Sequence, residues 1–200
     1  VPWVDKELDP SDTDILYGAR DSRELVMTKM LEDVDFAIEH LDAGVSPYRV
    51  NRWAALMLKA QFCLFEGTFR KYHKLAYEEH DYDYYLDLAV EAAGEIIDEG
   101  PYKLAPDYRM LFAQENADQG EYILAINNDF SLQIRNNSCA YALVSTQGAP
   151  GLSRKFVNSF LMKDGSRFTD KEGWETMEFV EQMKDRDPRL GYCTITPGYK

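Results

Sequence analysis

A mostly α fold of tetratricopeptide-like helical hairpins, with irregular loops and a little β, is what this sequence predicts, on three observations. Apolar residues recur at helical spacing in three long segments between residues 21 and 98. Alanine is frequent on their apolar faces, and small side chains let helices approach closely. Beyond residue 113 the period fades and polar, irregular sequence takes over. No clean repeat of 34 residues stands out, but paired long helices are compatible with a tetratricopeptide-like stack.

Residues 1–20, rich in Pro, Asp, Ser and Gly, read as a loop with Trp3 as its one large apolar group. Asp21 offers an N-cap, with Glu24 as reciprocal acceptor. Leu25, Met30, Leu31, Val34, Ile38 and Leu41 then form one face of a helix reaching about His40, ended by Gly44 and Pro47. A second helix is expected over roughly 50–72. It is apolar around more than half its circumference through Trp53, Leu56, Met57, Ala60, Cys63, Leu64 and Phe65, so packing on several sides is expected. Gly67 inside it implies close approach by a neighbouring helix, since an interior glycine otherwise costs about 1 kcal/mol against alanine. A third helix runs from about Tyr82 to Asp98, with Tyr85, Leu88, Ala89, Ala92, Ala93, Ile96 and Ile97 inward and Gly100-Pro101 as its stop.

The second half is less regular. "EYILAIN", 121–127, reads as a short buried strand or extended segment. Residues 127–150 read as a long surface loop, and loops of that length in compact domains usually carry function. Ser153 caps a helix over 154–162, Asp164-Gly165 makes a turn, and 173–183 is expected to be helical. Then comes "MKDRDPRLGYCTITPG", which holds two arginines, two aspartates and a proline within six positions, followed by an alternating run. Asp187 precedes a proline and cannot continue the preceding helix. Arg186, Asp187 and Arg189 are expected to satisfy one another and nearby carbonyls, as a structural latch.

Composition narrows the function. The net charge of −13 argues against a nucleic-acid partner and against an anionic membrane face. Three widely spaced cysteines give neither a disulfide framework nor a zinc pattern. No run of 18 apolar residues is present. The chain opens on Val1 and reads as an internal fragment of one longer domain, with a helical-hairpin region over 1–113 and a loop-rich region over 114–200. Phosphate-binding and nucleophile-elbow motifs are absent. His73 and His80, seven apart with Glu78 and Glu79 between, are a weak metal pattern and read as solvated polar residues near a helix end. Neighbouring acids such as Glu32 with Asp33 read as solvated helix faces, not as a carboxylate pair across a cleft. No cofactor or metal is predicted, and no catalytic constellation.

The aromatic residues outside helices are more informative: Trp3, Tyr17, Phe130, Tyr141 and Phe168. A flat ring stacks on the apolar C–H face of a sugar, while amides and guanidiniums bind its hydroxyls. Phe130, Arg135, Asn136, Asn137, Tyr141 and Gln147, with Gln133 among them, supply those ingredients and are the candidate glycan-binding residues.

Five stretches, in order, resemble the SusD/RagB family. They are "YGARDSRELVMTKMLEDVDFAIEHL", "NRWAALMLKAQFCLFEGTFRKYH", "YYLDLAVEAAGEIIDEGPYKLAPDYRMLFAQENADQGEYILAI", "PGLSRKFVNSFLMKDGSRF" and "RDPRLGYCTITPG". Asp185 departs from the Asn usual in that family. The resemblance implies a surface-exposed, lipid-anchored outer-membrane protein that binds glycans or other nutrients without cleaving them. Its partner would be a TonB-dependent, SusC-like transporter. The family's glycan contacts vary too much to assign any here. A helical scaffold binding only protein partners is the alternative, and a helical carbohydrate-active hydrolase a third.

Overall fold

The computed structural model of the chain describes residues 2–77, 79–117, 120–129, 131–134, 141, 144, 146 and 151–198. It is mostly helical. Two compact units are present: Val1–Ala105 with Gln114–Ile126, and Pro106–Ala113 with Asn127–Lys200.

The first unit is built on three long helices after a short α1 (Thr13–Leu16): α2 (Arg23–His40), α3 (Arg52–His73) and α4 (Tyr82–Glu99). Their starts follow from side chains that satisfy the free N–H groups of a first turn. Ser22 accepts from the Leu25 amide, Asn51 from Ala54, and Asp81 from Tyr84. Ser22 rather than Asp21 is therefore the cap of α2. Asp21 instead accepts the Trp3 amide at 2.7 Å and ties the N-terminal loop down. Helix α2 ends at Leu41, before Gly44 is reached, and α3 ends on Lys74 in the left-handed region at φ 53°.

Helix α3 lies between α2 and α4. One core cluster joins Trp53, Leu56 and Ala60 to Ala92 and Ile96, and a second joins Leu31, Cys63, Tyr85 and Ala89. At Gly67 the expected close approach is present. A Cβ there would lie 2.8 Å from Leu86 Cγ and Cδ2 and 3.0 Å from the Tyr82 carbonyl oxygen. Two sides of α3 are covered, and the expected packing on several sides does not extend to the face of Leu58, Leu64, Phe65 and Tyr72, which remain exposed. Ile97, expected inward on α4, is also exposed.

Segment 121–127 is not a strand. A backbone bond ties it to the loop between α2 and α3, from the Ala125 amide to the Pro47 carbonyl, 2.7 Å. Ile123 packs on the Trp53 cluster, while Leu124 and Ile126 are exposed. A run of apolar residues at period one does not fix which face is inward, and among the described residues no neighbouring strand pairs with it.

The second unit contains α5 (Tyr108–Ala113), α6 (Arg154–Ser159), a 3-10 turn (Phe168–Asp170), α7 (Phe179–Gln182) and α8 (Pro188–Cys193). Ser153 caps α6 as expected, but the helix stops at Ser159, not 162. Helix 173–183 is corrected to turns over 172–176 followed by the four residues of α7, and the alternating run after Pro188 is corrected to α8. The little β present among the described residues is two isolated antiparallel bridges, Leu161 with Arg167 and Met162 with Arg186.

Candidate functional site

Of the glycan-binding residues expected from sequence, Phe130, Arg135, Asn136, Asn137 and Gln147 lie outside the described residues. Tyr141 is exposed. Before them, Asp129 accepts both the amide and the hydroxyl of Ser131, at 2.8 and 2.6 Å, and Gln133 takes φ 61°. Those two Ser131 hydrogen bonds hold the Asp129 carboxyl below its usual range. Phe168, expected in a loop, is a buried core residue.

A cleft of about 620 Å³ opens beside α6 and the hairpin of residues 161–167. Arg154, Lys155, Asn158, Arg167 and Trp174 are the polar and aromatic groups that define it, with Ser159, Leu161 and Thr169 completing its lining. Trp174 is half-buried, with its ring edge-on to Phe168 at 6.1 Å between centroids. Arg154 lies over the Trp174 ring, 5.5 Å from its centroid, and donates from Nη2 to the Glu175 carbonyl at 2.6 Å. The side-chain oxygen of Asn158 is buried and has no hydrogen-bond partner among the described residues. The lining contains no carboxylate, imidazole or thiol.

The "RDPR" latch shapes this cleft. Residues 185–187 run antiparallel to 161–163: Lys163 donates to the Asp185 carbonyl at 2.8 Å, and Asp187 donates to the Leu161 carbonyl at 2.9 Å. Arg186 is only 4% exposed. It donates to the Val157 and Phe160 carbonyls at 2.7 and 2.9 Å and to Gln182 at 2.9 Å, and its guanidinium sits 4.1 Å from the Phe168 ring centroid. Burial lowers its pKa. It thus satisfies the orphan carbonyls at the end of α6, the helix that carries Arg154, Lys155 and Asn158. The expected mutual pairing holds for Asp187 and Arg189 but not for Arg186, whose described partners are backbone carbonyls and a ring. Asp187 also caps α8 through the Arg189 amide at 2.9 Å, with Pro188 at the first helical position. The Arg189 side chain, then its amide, pull the Asp187 carboxyl down to about 2.

Sequence reasoning missed the most heavily charged place in the first unit. Glu66 and Arg70, both 0% exposed, pair at 2.7 Å on successive turns of α3. Arg23 of α2 donates to Glu66 at 2.5 Å. Arg70 also pairs with Glu24 at 2.8 Å, donates to the His80 carbonyl at 2.5 Å, and lies over Tyr77 and Tyr85 at 4.3 and 4.5 Å. Burial opposes ionisation of Glu66, yet hydrogen bonds from Arg23 and Arg70 outweigh it and leave its pKa below the ordinary carboxylate value. Burial likewise works against the charge on Arg70, but Glu24 and Glu66 hold it on. The signal was legible as Glu and Arg four apart inside an otherwise apolar helix. Beside this network, ligand atoms of Glu24, Glu79 and His80 lie within 4.8 Å of one another. Glu24 already neutralises Arg70, and His80 stacks on Tyr84 at 3.9 Å. His73, which the sequence set beside His80, is exposed, with its ring tilted by 40° against Phe69.

Among the described residues no helix is long and apolar enough to cross a membrane. No family model, curated protein or solved structure matches this chain.

Proposed function

We propose that this chain is a non-catalytic, glycan-binding component of an outer-membrane uptake complex, of SusD/RagB type, that holds an oligosaccharide for a TonB-dependent transporter. In the full-length protein it would sit at the cell surface on a lipid anchor. One observation carries the reading: a cleft of about 620 Å³ that joins the Trp174 ring to the Asn158 amide and to the Arg154 and Arg167 guanidiniums. An apolar ring beside amides and guanidiniums matches a sugar's C–H face and its hydroxyls. With no carboxylate, imidazole or thiol in the lining, the groups that would cleave a glycosidic bond are not at hand there. Isothermal titration against a panel of oligosaccharides tests it. Saturable binding with no released fragment is expected, and Trp174→Ala should weaken it roughly tenfold. No affinity for any carbohydrate would remove the reading.

The exposed stripe of Leu58, Leu64, Phe65 and Tyr72 on α3 favours a second reading, a helical scaffold that binds only protein partners. It predicts an unchanged partner complex when Trp174 is removed.

A further inference from the structure

We infer that the Trp174 cleft selects acidic sugars, those bearing a uronate carboxylate or a sulfate ester, over neutral ones. The inference rests on the glycan-binding reading above and deepens it. The chain carries 35 acidic residues against 22 Lys and Arg, so an acid-free concavity with several cations is not what its composition favours. Yet Arg154, Lys155 and Arg167 all line the cleft, no carboxylate does, and none of the three forms an ion pair among the described residues. Two smaller clefts of the same unit, of about 370 and 350 Å³, differ in kind. Each sets two aspartates against its two cations: Asp164 and Asp185 with Lys163 and Lys171 in one, Asp185 and Asp187 with Lys163 and Arg186 in the other.

Each cation has a fixed origin. Arg154 is held at the ring by its bond to the Glu175 carbonyl, so ring and charge are offered together. Lys155 follows it on α6. Arg167 is set by its bridge to Leu161, with the Met162 amide bonded to the Ser166 carbonyl at 2.9 Å closing the hairpin. A neutral sugar would meet these cations through hydroxyls alone and leave each charge without a counter-charge. A sugar anion would receive charge-assisted hydrogen bonds, which are about twice as strong as neutral ones, while its ring meets Trp174. The net charge of −13 repels polyanions at a distance, so a short acidic oligosaccharide suits the cleft better than a long polyanion.

The test is isothermal titration of the whole chain with four probes: an oligogalacturonate, a sulfated oligosaccharide, a neutral oligosaccharide of equal length, and a polyglutamate peptide. One or both acidic sugars should bind at least about tenfold tighter than the neutral one, with affinity falling as salt rises. Which of the two binds tighter identifies the anion. The double variant Lys155→Gln, Arg167→Gln, which spares the Arg154 anchor, should abolish that preference, weakening the acidic sugars far more than the neutral one, and leave thermal unfolding unchanged. Equal binding of acidic and neutral sugars, an acidic preference that survives the double variant, or polyglutamate binding as tightly as the acidic sugar would each overturn the inference while leaving glycan binding intact. Absence of any carbohydrate binding would overturn both.

Discussion

Glu66 shows what a single buried charge demands. Its carboxylate sits between Arg23 and Arg70 with no access to water, and removing one partner of such a set strands the other charges. Glu66→Gln is expected to cost about 3–5 kcal/mol, measured by urea unfolding, whereas exposed Lys29→Gln, which loses only the pair with Glu32, should cost far less. A loss at Glu66 no larger than at Lys29 would mean the network carries no stability. Because the folded pKa of Glu66 lies below its unfolded value of about 4.3, its contribution is full above that value and is lost as pH falls through the folded one. Asp187 obeys the same sign over a defined window. Its folded pKa is about 2, so the stabilisation is present above about 4 and disappears between there and about 2. Asp187→Ala removes both the cap of α8 and the Arg189 pair and should cost about 1–2 kcal/mol. Asp187→Asn keeps a capping oxygen and should cost less. Thermal unfolding of the two variants at neutral pH decides this, and an Asn variant as weak as the Ala variant would show that the charge, not the cap, matters.

At the scale of elements, Gly67 sets the distance between α3 and α4. A methyl there meets Leu86 and the Tyr82 carbonyl at contact distances no real Cβ shows comfortably, so the helices must part. Gly67→Ala gains about 1 kcal/mol in helix propensity but incurs an overpacking cost of about 1–3 kcal/mol, for a net loss of up to about 2 kcal/mol by chemical denaturation. A gain in stability would show that α4 can move freely. This position was readable in advance because a glycine in an otherwise strong helix needs a neighbour to explain it. Helices α2 to α4 were readable for a related reason: local capping oxygens and a 3.6-residue apolar period agree over 18 residues or more. Segments 121–127 and 173–183 lacked that agreement. The first is an apolar run with no partner strand among the described residues to give it a face. The second has Gly173 at φ 73° and a ring, Trp174, turned to a cleft rather than a helical core. Assigning 173–183 to a helix also concealed Trp174 among helical aromatics, which is why the cleft was not anticipated, although Arg154 and Asn158 stood in a helix whose cap was recognised. The latch at 185–187 was readable in its purpose, because a proline fixes the break. Which carbonyls Arg186 would serve was not, because those of Val157 and Phe160 are brought to it by tertiary structure alone. Asp185 adopts φ 52°, a left-handed conformation that Asn and Asp enter more readily than other residues with a side chain.

For the molecule as a whole, the two units differ in how much they bury. The first holds two clusters centred on Trp53, Leu56, Cys63 and Tyr85, with the Glu66–Arg70 network sealed beneath them. The second, among its described residues, closes around the apolar side chains Leu111, Met162, Phe168 and Leu190 over short helices. Local opening free energy follows buried apolar contact, so the second unit should open more readily than the first. Each unit carries a cysteine that reports on it. Cys63 is fully buried in α3, and burial pushes its thiol up to about 11, so it is unreactive while the unit is closed. Cys193 ends α8 and is exposed. In a Cys139→Ser background, a thiol reagent at neutral pH should label Cys193 at the rate of a free peptide thiol and leave Cys63 untouched in native buffer. As urea is raised, peptides spanning 160–190 should lose hydrogen-exchange protection before Cys63 begins to react. Labelling of Cys63 in native buffer, or loss of both signals at one urea concentration, would show instead that the chain opens as a single cooperative body whose stability is not set unit by unit by its buried cores.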